Sequence, residues 1–230
     1  MNNNIHLPKT DKQGKFYLSY SQYTKWLDNK RNYIRRYFFG EKEEGNAYFD
    51  FGHKVGEALE NNDFSAFETE QEVELMKSIP RYDEFEREIK LQMDGFYVIG
   101  YIDTNNVESK GKKKGLVTKM ADYKTGEMKQ EALYKSKDYK QLHIYAEALR
   151  QEQGCLPEQI DVFLIERLGN PYDKNVRNRE LVLGEEVRRI EKTGDITDES
   201  IKETLDVING AAEGISDHYK MYLRMKQIFV

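Results

Sequence analysis

Two stretches of the chain end an apolar run on an acid. In Gly115-Leu-Val-Thr-Lys-Met-Ala-Asp-Tyr-Lys-Thr-Gly126, a run without proline stops on Asp122, Tyr123 and Lys124. The Thr125-Gly126 pair that follows is a turn signal, so the polar trio falls at the end of a strand. Alternate residues of a strand share a face, which puts Asp122 beside Lys124 and turns Tyr123 the other way. Upstream, Phe96-Tyr-Val-Ile-Gly-Tyr-Ile-Asp103 is a second apolar run that ends on an acid. A carboxylate can hold a divalent cation, and a neighbouring ammonium can orient or deprotonate a water beside it. Two such acids and one amine at a common point are the groups that phosphodiester hydrolysis asks for. Acid-x-Lys triplets also begin at Asp28, Glu88, Glu108, Glu127 and Asp138. Most such triplets are solvated charge, and what separates Asp122 is the strand before it and the second acid upstream.

The elements that must position these groups can be read outward from them. Asp94-Gly95 is the strongest short hairpin signal in the chain and joins strands over residues 86–93 and 96–103. With 116–124 they make an antiparallel meander whose second and third members carry the acids. A helix follows over 137–153, with Leu142, Tyr145, Ala146 and Leu149 as its apolar stripe and Gln141 one turn from Tyr145. Residues 160–165 read as a buried strand, and the intervening helix makes it parallel to the third strand. Before the meander, Ser19 or Ser21 caps a helix whose Tyr23, Trp26, Leu27, Ile34, Tyr37 and Phe38 are core. Its other face carries Lys30, Arg31, Arg35 and Arg36, of which Arg35 and Arg36 are candidates for phosphate contact. Asp50 caps a short helix bearing Val55, Ala58 and Leu59, with His53, Glu57 and Glu60 on its other faces, and 68–77 is a further helix. After the fourth strand, 168–180 is loop, 181–183 a short edge strand, and 185–192 and 197–227 are helical. Residues 1–18 are expected to be flexible.

Composition sets the limits. The 230 residues suit one domain, residues 1–230, with 185–230 as a C-terminal helical extension. Charged residues make up 33% and hydrophobic ones 38%, no apolar run is long enough for a membrane span, and the first residues lack a signal-peptide core. A cytoplasmic protein with no membrane partner is the expectation. The single Cys155 excludes an internal disulfide framework and a four-cysteine zinc or iron–sulfur site. Net charge is −5, but residues 110–140 hold ten lysines against four acids. Lys110, Lys112, Lys113 and Lys114 either contact phosphates beside the site or form a solvated hairpin tip.

Gly100-Tyr-Ile-Asp103, Asp122-Tyr-Lys-Thr125 and Gln141-Leu-His-Ile-Tyr145, in this order, resemble the motifs of the PD-(D/E)XK nuclease superfamily. The finer resemblance is to its RecB-like branch of phage recombination and CRISPR-associated exonucleases. Ser19-Tyr-Ser-Gln-Tyr23 and Phe51-Gly52 look like that branch too. The resemblance implies an α/β fold with a restriction-endonuclease-like core, a mixed sheet of four or five strands flanked by helices. It implies a metal-dependent DNA nuclease, with an exonuclease of recombination, repair or phage replication as the reading, and a catalytically inactive binder of nucleic acid or protein as the alternative. Asp103, Asp122 and the Tyr123 carbonyl would hold Mg2+ or Mn2+, Lys124 would position the attacking water, and Gln141 with Tyr145 would support the substrate. DNA is the implied partner, alongside a recombination or replication protein or a second copy of the chain. Two departures stand out. The iron–sulfur cysteines of some members are missing, and Gly56 occupies the place of a histidine ligand, which leaves His53, Glu57, Glu60 or Glu88 to complete the metal site.

Overall fold

A computed structural model describes residues 5–42, 45–174 and 179–228. Ser19 opens the first helix, α1 (Tyr20–Asp28), through a capping box: its hydroxyl accepts the Gln22 amide, and the Gln22 side chain accepts the Ser19 amide. The aromatic segment predicted as one helix is two. Asn29 leaves helical geometry at φ −152° and ψ 91°, and its side chain caps α2 (Lys30–Tyr37) by accepting the Asn32 amide. Tyr23, Trp26, Tyr33 and Phe38 are core, whereas Leu27 is exposed. Asn46, not Asp50, caps α3 (Ala47–Asn61), and Asp50 lies in its first turn. A second capping box, Thr69 with Glu72, starts α4 (Glu70–Ser78). The N-terminal segment is packed from Ile5 onward: Ile5 and Leu7 are buried, Thr10 bridges Phe16, and Tyr17–Ser19 forms the short strand β1.

Among the described residues the sheet has six strands, one more than the upper expectation. The predicted hairpin joins β2 (Glu84–Gln92) to β3 (Tyr97–Val107), with Gly95 at φ 81°, a left-handed value that suits glycine. The next strand, β4 (Val117–Gly126), runs antiparallel to β3. Helices α5 (Glu131–Ser136) and α6 (Lys140–Gln153) then carry the chain over to β5 (Gln159–Leu168), which is parallel to β4 as anticipated. The helix expected over 185–192 is instead strand: β6 (Val182–Glu191) lies antiparallel on β5, with Val187 opposite Ile165 and Ile190 opposite Val162. The Glu- and Arg-rich composition of 185–191 favours helix only weakly, and ladder pairing with a buried neighbour outweighs it. The chain closes with α7 (Asp198–Ile228).

The two sides of β3 are unequal, and this creates the site. One edge pairs with β2 almost throughout, from Glu84 opposite Asn105 to Gln92 opposite Tyr97. The other edge pairs with β1 at Tyr97–Ile99 and with β4 only from Thr104 onward. Between them, this edge of β3 from Gly100 to Asp103 faces a break in the sheet and pairs with no strand among the described residues. Helices α1, α2, α6 and α7 share one apolar cluster with Ile89, Leu91, Met120, Val162 and Leu164. Helices α3 and α4 share another with Ile165 and Leu183. No helix among the described residues is long and apolar enough to cross a membrane.

Candidate active site

Asp103 stands at the end of that break, and its carboxylate takes the place of a strand partner: Oδ2 accepts the Tyr123 amide at 2.7 Å. The strands therefore diverge just where β4 carries Asp122. Asp122 is 1% exposed, and the Lys124 ammonium lies against its Oδ2. Among the described residues no further donor reaches its carboxylate, which leaves Oδ1 without a hydrogen-bond partner. Buried carboxylates are normally hydrogen-bonded at both oxygens, so Oδ1 is open to a second cation. Two carboxylates and the Tyr123 carbonyl are hard oxygen donors of the kind Mg2+ and Mn2+ take. Among the described residues no three His, Cys, Asp or Glu side chains lie close enough to hold an ion by themselves. The carbonyl and waters would have to complete such a shell.

The charges respond to one another. Asp103 is pushed up to about 7, first by burial and then by Asp122, against the opposing pull of Lys124 and the Tyr123 amide. Burial works to lower Lys124, but Asp122 and Asp103 outweigh it and hold the ammonium above its usual range. Lys124 is thus a fixed cation here. For Asp103 the folded form binds a proton that the unfolded chain, with a carboxyl near 3.9, releases. The stability this group contributes is present below about pH 4 and falls as pH rises towards about 7. Asp103→Asn is therefore expected to raise the Tm of EDTA-treated protein, with a gain that grows from pH 5 to pH 8. A gain independent of pH would contradict this assignment.

Gly100 and Tyr145 belong to separate motifs and meet at one point. A Cβ on Gly100 would lie 2.5 Å from Tyr145 Cε1, so the glycine makes room for the ring against β3. The Tyr145 hydroxyl receives the Gln141 side-chain amide at 2.6 Å. Burial pushes this hydroxyl far above its usual range, so it stays protonated. The Gln-x-x-x-Tyr pair thus plugs the gap between β1 and β4 and holds β3 three residues before Asp103.

The remaining sequence candidates lie elsewhere. Glu88 is exposed, pairs with Lys90 at 2.9 Å and accepts the Tyr101 hydroxyl. The acid aligned with Asp103 is Glu86, since Phe85 pairs with Thr104 and Arg87 with Ile102 on either side of it. Glu86 has φ 48°, a left-handed backbone in mid-strand, and its carboxyl is raised by burial and by Glu60 while His53 opposes. Counting the ladder back from the Asp94-Gly95 turn would have picked Glu86 over Glu88. His53 is exposed on α3, its ring edge-on to Phe49 at 4.4 Å. It sits in the field of Glu86, which itself acts on Asp103, and Glu57 is exposed. Gly56 faces open space. Two tyrosines were given no site role in the sequence, although Tyr20 lies in the Ser19–Tyr23 stretch. Tyr20 feels both Lys124 and Asp122, and the Tyr139 hydroxyl, buried without a partner, feels Asp122 and Tyr134.

The lysines of the hairpin tip are not beside the acids. Lys112 and Lys113 belong to a short 3-10 turn at the far end of the β3–β4 hairpin, followed by Lys114, and Lys113 pairs with Glu158. Asp122 is five residues into β4 from Val117, roughly 16 Å along the strand at 3.3 Å per residue. Arg35 pairs with Glu41, and the Arg36 guanidinium lies 5.4 Å from the Tyr37 ring, both on α2. Replacing Lys110, Lys112, Lys113 and Lys114 with glutamine is expected to leave the salt slope of DNA binding unchanged, as for a solvated tip. A slope reduced by up to about 0.9 per residue on duplex would place phosphates there after all.

Fold and site together define a mixed α/β protein with a carboxylate–lysine centre set in an interrupted sheet. The sequence profile of the PD-(D/E)XK nuclease superfamily matches residues 60–220, and the chain belongs to that superfamily. Its members generally use divalent metal ions. No curated protein matches the sequence. Two solved structures are similar at low identity. One is a candidate exonuclease from Eubacterium rectale, 13% identical, with a TM-score of 0.48 over 96% of this chain and 88% of that one. The other is LHK-Exo in complex with dAMP, 14% identical, with a TM-score of 0.43 over 93% and 94%.

Proposed function

We propose that this protein is a metal-dependent deoxyribonuclease of the RecB-like branch that digests DNA from an end. The observation that carries the reading is Asp122: a buried carboxylate with the Lys124 ammonium against Oδ2, Oδ1 without a donor among the described residues, and Asp103 across from it. Asp103, Asp122 and the Tyr123 carbonyl would hold Mg2+ or Mn2+, which when bound polarises a phosphoryl oxygen and acidifies a bound water. Lys124 keeps its proton and orients the attacking water by donating to it. Gln141 and Tyr145 hold the β3 segment that carries Asp103, and Tyr20 and Tyr139 border the place where a phosphate would enter. The three-motif order and the intact acid–acid–lysine set favour cleavage, whereas the open space at Gly56 favours a binder that does not cut. A role in recombination, repair or phage replication, in the cytoplasm, from a single domain and with a protein partner or a second copy, belongs to this reading.

The test is incubation with end-labelled linear and circular DNA in Mg2+, Mn2+ or EDTA. Loss of linear DNA alone, in metal alone, is the expected result. Cutting of the circle would make it an endonuclease, and binding without cutting under every metal would favour the inactive alternative.

A further inference from the structure

Among the described residues α7 buries none beyond Ser216, yet its last turns stay apolar: Met221, Met225 and Ile228 are each more than half exposed. The end of α2 lies alongside. Phe38 is 5.1 Å from Tyr219 and 5.5 Å from Tyr222, and the exposed Phe39 meets Tyr222 edge-on at 5.2 Å. The two helices wall a groove. Its two adjoining hollows, of about 430 and 590 Å³, share Ile34 and Phe39; Met221 and Met225 line the first, Arg31 and Arg35 the second. A contiguous apolar hollow with a polar rim marks an interaction surface, whereas apolar side chains exposed singly do not. The charge around it points to the partner. Residues 30–40 and 219–228, which form the walls, hold seven lysines and arginines and no acid, in a chain of net charge −5. Among the described residues Glu41 is the one acid lining either hollow, and Arg35 pairs with it at 2.6 Å.

We propose that this groove binds an acidic amphipathic helix of a partner protein, with its apolar face on Phe39, Met221 and Met225 and its carboxylates towards Arg31 and Lys226. No residue of the groove belongs to the Asp103–Asp122 site, so this contact holds whether or not the chain cuts DNA. From His218 to Met225 the lining side of α7 runs seven residues, roughly 10 Å at 1.5 Å per residue. That length suits anchors at i, i+3 or i+4 and i+7 of a docked helix, and methionine side chains adapt to whichever apolar anchors arrive. A second copy of the chain fits worse, because a two-fold contact through the groove sets its bases against like charges. A nucleic-acid strand would meet the arginines with phosphate, but methionine and isoleucine offer its bases few ring faces for stacking.

The test is selection of phage-displayed random peptides of about 16 residues, roughly four helical turns, on the wild-type protein. The double variant Phe39→Ser, Met225→Ser serves as counter-selection. Expected are enriched peptides of net negative charge with apolar residues at helical spacing. One of them, synthesised and labelled, should bind Arg31→Glu, Lys226→Glu about tenfold more weakly, and its affinity for the wild type should fall as salt rises. No enrichment, enriched peptides without acids, or unchanged affinity for the charge-reversed variant overturns the site. All four substitutions change exposed side chains, so both variants should keep the wild-type Tm. If the serine variant does not fold, the charge-reversed variant alone decides. A wild-type dimer that the serine variant disperses in sedimentation would assign the groove to a second copy. Displacement of the peptide by a single-stranded oligonucleotide in EDTA would assign it to nucleic acid, and either result overturns the acidic helix.

Discussion

Lys124→Met is expected to lower single-turnover DNA cleavage by about 10²- to 10⁴-fold in Mg2+ or Mn2+, the range for losing one positioned charge or proton-transfer group. Methionine keeps the length of the stem and removes the ammonium. Lys124 lies against Asp122 and is held protonated by Asp122 and Asp103 together, so it is a fixed positive charge at the acids. The loss should appear in turnover, with DNA affinity in EDTA little changed. Lys140 serves as the control. It also follows an acid by two residues, pairing with Asp138 at 2.8 Å, but it opens a helix instead of standing in the sheet. Lys140→Met should cleave at the wild-type rate. Turnover within a few-fold of wild type in Lys124→Met would remove the lysine from the reaction.

Gly100→Ala is expected to cost about 1–3 kcal/mol, the range for overpacking a core, or a Tm lower by roughly 2–4 °C for each kcal/mol. The new methyl would lie 2.5 Å from Tyr145 Cε1 and 3.3 Å from Ile89 Cδ1. Tyr145 cannot swing away cheaply, because it is buried and its hydroxyl accepts the Gln141 amide. The strain falls on the stretch of β3 that leads to Asp103, so cleavage should drop together with stability. A double-mutant cycle isolates the contact: in a Tyr145→Ala background most of the Gly100→Ala cost should vanish. If the two penalties simply add, Gly100 and Tyr145 are not the paired fit described above.

Much of the site could be read from the chain because it rests on local chemistry. The Asp94-Gly95 turn sets the β2–β3 register, apolar runs ending on Asp103 and Asp122 mark strand ends, and Gln141 and Tyr145 sit one helical turn apart. The capping boxes at Ser19 and Thr69 are equally local, each closing within three residues. What escaped has non-local causes. Glu86 was legible in principle, by counting the register, but its left-handed backbone was not. The segment 185–191 carries helix-tolerant residues and becomes strand only because the edge of β5 offers a ladder. β1 is three residues long, too short for any periodicity, and is strand because β3 extends past β4 to receive it.

By itself, then, the amino-acid sequence determined the order of the meander, the crossover to a parallel strand, and the residue types that could meet at a metal. Each of these follows from periodicity, turn chemistry or spacing along the chain. Only the tertiary structure decided that β1 and β4 leave a break along β3, that Tyr145 packs over Gly100 there, and that Asp122 is buried against Lys124. The same holds for the lysine-rich tip lying at the far end of β4 from the acids, and for Arg167 lying on the Tyr48 ring. The physical reason is common to all of them: burial, strand divergence and charge proximity depend on which distant segments pack together, and no local pattern encodes that.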